Sequence, residues 1–142
     1  MRLTSFTDYG LRMLMRMANE PKRAFSTSEL SEEFGLSRHH LAKIIQKLAS
    51  GGIIVTRRGG GGGAMLAHDA GEISLGQVVR VLEQDQALVE CLAADGGACS
   101  IDGRCKLKAR LRNAESAFLR ELDQTNLADI ALAPVSDAID HT

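Results

Sequence analysis

The run Ser26–Gly52, STSELSEEFGLSRHHLAKIIQKLASGG, decides how this chain folds. Ser26-Thr27-Ser28-Glu29 reads as a capping box, the serine hydroxyl taking an orphan amide and the glutamate reaching back. It opens a short helix with Leu30 and Phe34 inward, ended by Gly35. Ser37 caps the next helix only two residues later. In that helix Leu41, Ile44, Ile45 and Leu48 make the buried stripe, and Gly51-Gly52 closes it. Arg38, His39, Lys43, Gln46 and Lys47 are left on the other faces. A short helix, a tight turn with glycine and a second helix with a basic outer face make a helix-turn-helix, with the second helix as the reader.

Working outward, Ile53 to Arg58 is rich in β-formers, Gly59 to Gly63 are five consecutive glycines, and Ala64 to Ala67 is a second short apolar strand. Two strands joined by a glycine-rich tip after a helix-turn-helix read as a wing. The glycine run lacks the lysine and Ser/Thr that a phosphate-binding loop places after its last glycine. Upstream, Thr7 reads as the N-cap of a helix to about Asn19, with Asp8 in its first turn. Its stripe is Leu11, Leu14, Met15 and Ala18, leaving Arg12 and Arg16 off it, and Glu20-Pro21 ends it.

Downstream, Ser74 caps a helix with Leu75, Val78, Val79 and Leu82 at i, i+3, i+4 and i+7. A long helix then runs from near Cys105 to about Asp123, with Leu107, Leu111, Ala114, Phe118 and Leu122 along one seam. That seam exceeds what one small winged helix covers, and the same helix of a second subunit is its natural cover, so a homodimer is expected. Thr125 is expected to cap a short terminal helix. The fold class is therefore mainly α: a winged helix-turn-helix with a small two-stranded β wing plus a long C-terminal dimerisation helix. The expected division is 1–72 for the DNA-binding domain, 73–134 for the helix, cysteine loop and dimerisation helix, and 135–142 for a flexible tail.

Composition fits one compact soluble domain, or a small domain plus an extension: 142 residues, 44% hydrophobic, no apolar run long enough to span a bilayer and no secretory signal, so a cytoplasmic protein without a membrane partner is expected. The net charge of −1 hides an asymmetry. Met1–Ala67 holds ten Lys and Arg against five Asp and Glu, net +5; His68–Thr142 holds seven against thirteen, net −6. A basic first half points to a polyanion, with double-stranded DNA leading. Nothing resembles an acid–base pair, an activated nucleophile or a cofactor motif, which argues against an enzyme.

All three cysteines lie in VECLAADGGACSIDGRCKLK, residues 89–108. An odd count in a chain read as cytosolic argues against a disulfide framework and for metal or redox chemistry. Three thiolates are one short of the four ligands usual for zinc or an iron–sulfur cluster, so a fourth must come from elsewhere. His68, Glu90, Asp95 and Asp102 are possible donors. Asp8, read alone, is a carboxylate complementing the positive end of its helix.

RLTSFTDYGLRMLMRMA at the start, GLSRHHLAKIIQKL, the arginine-glycine wing ending GGAMLA, the helix GQVVRVLE and the three-cysteine loop together resemble the bacterial winged-helix iron–sulfur regulators, and within them the nitric-oxide-sensing, NsrR-type repressors. The resemblance covers roughly residues 1 to 130. It implies a homodimer with one cluster per subunit, held by Cys91, Cys99 and Cys105, and an aspartate from the first helix of the other subunit as fourth ligand, which maps onto Asp8. IscR-type members use a histidine three residues after the last loop cysteine, where this chain has Lys108. That departure favours a [4Fe-4S] cluster, with [2Fe-2S] or zinc as the alternatives. Nitric oxide is the signal implied, and iron availability or oxidative stress are alternative inputs.

On DNA, the start of the reading helix places Ser37, Arg38, His39 and His40 toward base edges in the major groove. Lys43 and Lys47 suit phosphates, and Arg57 and Arg58 would approach the minor groove with the wing. Relatives usually carry a lysine and an asparagine where this wing has Gly60 and Gly61, so wing contacts should be weaker or made by the backbone.

Overall fold

The computed structural model describes residues 2–59, 62–87 and 106–134. Five helices and one hairpin account for most of them: α1 (Ser5–Ala18), α2 (Thr27–Phe34), α3 (Arg38–Ser50), β1 (Ile54–Arg57), β2 (Gly63–Leu66), α4 (Leu75–Leu82) and α5 (Leu107–Leu122), with 3-10 turns at Ala70–Glu72 and Leu127–Ile130. The chain is a winged helix-turn-helix.

The α2–turn–α3 unit forms where the sequence places it. Ser26 Oγ accepts from the Glu29 amide at 3.1 Å. The reciprocal arm of the capping box is replaced by an ion pair, because Glu29 turns to Arg23. Gly35 adopts the left-handed conformation, φ 64°, that stops α2 at little steric cost. At the end of α3 Gly52 does the same at φ 76°, while the Ile53 amide reaches back to the Leu48 carbonyl and the Gly52 amide to that of Ala49. That is the double bond of a Schellman ending.

Two helix starts lie elsewhere than the sequence suggested. Thr4, not Thr7, caps α1: its Oγ1 accepts from the Thr7 amide at 3.2 Å, and Thr7 is itself fully buried. Asn126, not Thr125, caps the last turn, in a reciprocal box with Asp129 at 3.0 Å each way. The buried face of α1 is also rotated. It carries Gly10, Met13, Leu14, Met17 and Ala18, whereas Leu11 and Met15 are only partly covered. Arg16, expected off the stripe, is buried.

Arg16 is tolerated there because its charge is fully met. It donates to Glu33 at 3.0 Å and Glu20 at 2.7 Å and lies over the Phe25 ring, 5.0 Å from its centroid. Arg23 lies over the same ring at 4.3 Å and pairs with Glu20 at 3.0 Å. The Arg16 hydrogen bond first, and then Arg23, hold the Glu20 carboxyl below the usual carboxylate range despite some loss of water.

β1 and β2 pair antiparallel, Ile54 opposite Leu66 and Arg57 opposite Gly63. The root of this wing is tied down a second time: Phe25 and Ala64 exchange backbone hydrogen bonds, both 2.8 Å. Gly63 makes that approach possible, for a Cβ there would meet the Phe25 carbonyl oxygen at 2.2 Å. One apolar core joins these parts, with Met13, Leu14, Met17, Phe25, Leu30, Leu41, Ile44, Leu48, Ile53 and Ile54 from the first half and Ile73, Val78, Leu82 and Leu127 from the second.

Candidate nucleic-acid interface and ligand residues

α3 is held from below by Leu41, Ile44 and Leu48, all without exposed surface, so its remaining faces are fixed in direction. Ser37 Oγ accepts from the His40 amide at 3.1 Å, which caps the helix. Arg38 and His39 then lie exposed at its first turn, and Lys43 and Gln46 continue the open face from His39 at i+4 and i+7. The helix start adds the partial positive charge of its free amides, a natural phosphate site. Arg57 and Arg58 are exposed on the wing. Ser37, Arg38, His39, Lys43, Arg57 and Arg58 are thus all within reach of solvent.

Two nominated residues are placed differently. His40 is half-buried, its ring stacked 6.3 Å from that of Phe6 and edge-on to Tyr9 at 6.2 Å, both on α1. Lys47 lies largely covered, its ammonium 2.5 Å from Asp85 just beyond α4. It borders a shallow cleft with Thr4, Phe6, Leu82 and Gln86. Both residues flank the buried stripe of α3, where the neighbouring helices, rather than periodicity along α3, decide what they touch.

Asp8 stands in the first turn of α1 with its side chain 52% exposed. Arg12, equally open, grips it through two bonds, Nε to Oδ1 at 3.1 Å and Nη2 to Oδ2 at 2.8 Å. The Arg12 guanidinium also lies 5.2 Å from the centre of the Tyr9 ring. An exposed i,i+4 pair of this kind contributes little, about 0.3–0.5 kcal/mol, so Asp8 is readily released. A ligand lent to another subunit must be at the surface and cheaply freed, and Asp8 meets both conditions.

Cys91, Cys99 and Cys105, with Glu90, Asp95, Asp102, the wing-tip Gly60 and Gly61 and the tail 135–142, lie outside the described residues. Among the described residues no three of His, Cys, Asp and Glu gather around one point, and His68 is exposed. No helix of the described residues is long and apolar enough to cross a membrane.

One tie had no signal in the sequence. Glu83 receives the Thr4 amide at 2.7 Å and the Thr4 hydroxyl at 3.4 Å, fastening the start of α1 to the residue that follows α4. The partners are 79 residues apart, beyond any local pattern. The burial of Arg16 was partly readable, since it stands between Met13 and Met17 and four before Glu20.

Comparison with known proteins adds to this geometry. The family Rrf2, described as iron-dependent transcriptional regulator, matches residues 3–133. Among solved structures, CymR, the global cysteine regulator of Bacillus subtilis, is similar at 27% identity and a TM-score of 0.67, over 92% of this chain and 96% of its own. A transcriptional regulator from Listeria innocua is similar at 29% identity and 0.69, over 92% and 85%. T. potens IscR shares the fold at 24% identity and 0.69, over 100% and 91%.

Proposed function

Because the chain belongs to the Rrf2 family of transcriptional regulators, we propose that it is a homodimeric DNA-binding repressor that senses nitric oxide through a [4Fe-4S] cluster and releases its operator when the cluster is nitrosylated. The observation that carries the DNA reading is the open basic face of α3, with Arg38, His39 and Lys43 exposed beside the wing arginines Arg57 and Arg58. Arg38 and His39, with the Ser37 hydroxyl, suit base edges at the helix start; Lys43 suits phosphates, and the wing arginines suit the minor groove. His40 and Lys47 contribute less directly, because their side chains are engaged with α1 and Asp85.

The dimer reading rests on α5. Its sixteen residues include none that is buried: on the seam Leu107 is 58% exposed and Ala114 is exposed, while Leu111, Phe118 and Leu122 are only partly covered. A second copy of the same helix would cover that seam.

Cys91, Cys99 and Cys105 would hold the cluster, with Asp8 of the partner subunit as fourth ligand. The cluster supplies iron to which nitric oxide binds. An oxygen ligand matches iron–sulfur sites less well than thiolate, so Asp8 is the corner most easily given up. On release Asp8 returns to Arg12 in the grip seen here, and the tie between one subunit's cysteine loop and the other's reading head is lost.

The test is operator affinity before and after nitric oxide, measured anaerobically on cluster-loaded protein with a duplex selected from a random pool. A fall of about 5- to 150-fold is expected, the range of ordinary coupling free energies. Unchanged affinity refutes the sensor reading. The family's description as iron-dependent favours one second reading, iron availability as the input. Loss of operator binding on chelating iron, with no response to nitric oxide, would select it.

A further inference from the structure

The half-buried ring of His40 lies on a continuous line of contacts from the candidate ligand to the reading helix. Asp8 holds Arg12 through two hydrogen bonds. Arg12 lies over Tyr9. Tyr9 meets the edge of His40, and Phe6, one turn earlier on α1, stacks against the same ring. The His40 amide in turn closes the Ser37 cap that starts α3. Each centroid separation falls in the 4.5–7 Å range of genuine aromatic pairs.

We propose that His40 is a positioning residue: through Tyr9 and Phe6 it ties the orientation of the first turn of α3 to the Asp8–Arg12 pair of α1, and it does not read a base. The proposal rests on the reading above for the roles of α3 and Asp8. When Asp8 is drawn away from Arg12, the guanidinium loses the partner that fixes it over Tyr9. The Tyr9 ring then has a different set of neighbours, and His40 sits at its edge. A small reorientation there moves Arg38 and His39, the two exposed residues of the same turn. Contacts of this kind carry coupling only if both ends respond, so the test addresses both ends.

The first measurement needs neither DNA nor cluster. In the full-length, cluster-free chain with 13C-labelled histidine, His40→Phe assigns the His40 ring resonances. Asp8→Ala should then shift them, and the same substitution in a Tyr9→Leu chain should leave them in place. Resonances indifferent to Asp8→Ala while Tyr9 is present, or equally responsive without it, overturn the proposal. This result stands whether or not nitric oxide affects DNA binding, so the two readings fail separately.

The second measurement asks whether His40 reads sequence. Cluster-loaded wild type, His40→Phe and His40→Ala are compared on the selected operator and on duplexes with single base pairs changed. Both variants should keep base discrimination within about twofold of wild type, whereas a lost base contact removes about tenfold at one position. His40→Phe keeps a ring for Phe6 and Tyr9 and should keep the nitric oxide response; His40→Ala should shrink that response about twofold, as much as the exposed Asp8–Arg12 pair can transmit. Loss of discrimination in both variants assigns His40 to base reading and overturns the proposal.

Discussion

In α4, eight residues long, Gly76, Val78, Val79 and Leu82 are buried; in α5, sixteen residues long, none is. Both helices carry apolar residues at helical spacing, so periodicity alone does not separate them. What separates them is the cover. Leu82 of α4 lies against Gly10 of α1 so closely that a Cβ there would meet it at 2.6 Å, and Val81 lies against Gly51 after α3 in the same way. α5 is fastened near its end, where Arg80 grips Asp123 at 2.6 and 2.9 Å and Gly76 admits both Asp123 and the Leu119 carbonyl. A stripe covered within the chain builds the fold, and a stripe left open invites a second chain.

The largest expected effect lies on the covered side. Leu82→Ala removes a core side chain against Gly10 and should destabilise the fold by about 2–5 kcal/mol, read as a fall in the urea midpoint with unchanged slope. A loss below about 1 kcal/mol would mean that α4 is not part of the cooperative core. Next, Leu107→Glu on α5 should leave subunit stability within about 0.5 kcal/mol, as an exposed site does. In sedimentation it should weaken self-association about tenfold or more. Self-association that survives unchanged would remove Leu107 from the subunit interface.

The smallest effect tests the joint between the two helices. The Arg80 hydrogen bond, aided by its charge and by Ser74, holds the Asp123 carboxyl below its ordinary value of 3.8 against some loss of water. A depressed folded-state pKa stabilises above the unfolded value and is lost as pH falls through the folded one. The stability gap between wild type and Asp123→Asn should therefore be level above about pH 5 and close on further acidification. A gap that stays constant down to pH 2 would show that the Arg80 pair contributes nothing to folding.

Much of this was written locally. The helix-turn-helix is legible because Leu41, Ile44 and Leu48 keep a helical period between a serine cap and a glycine stop, and both signals act within a few residues. The phase of α1 was harder. Reading Leu11 and Met15 as inward, rather than Gly10 and Met13, turns the helix by about one residue, roughly 100°. Gly10 gives no hydrophobic signal even though its missing side chain admits Leu82. The caps at Thr4 and Asn126 were displaced for a related reason: several Ser, Thr and Asn lie nearby, and the true helix start selects among them. At the candidate site the outward charges of α3 follow from its period. The partners of His40 and Lys47 do not, because Tyr9 and Asp85 reach them from other helices.

The wing root has a consequence for how such a reader can change over time. Phe25, clamped by two guanidinium groups, is bonded on both its amide and its carbonyl to Ala64. The hairpin is thereby riveted to the linker before α2, as long as Gly63 keeps its place against the Phe25 carbonyl. Within the tract, Gly59 at φ 93° and Gly62 and Gly63, where a Cβ would meet a backbone oxygen at 2.5 and 2.2 Å, take a side chain only with strain, which leaves Gly60 and Gly61 as the positions to vary. The shank of this hairpin is fixed, and a library randomised at Gly60 and Gly61 alone would show whether its tip tunes the choice of operator.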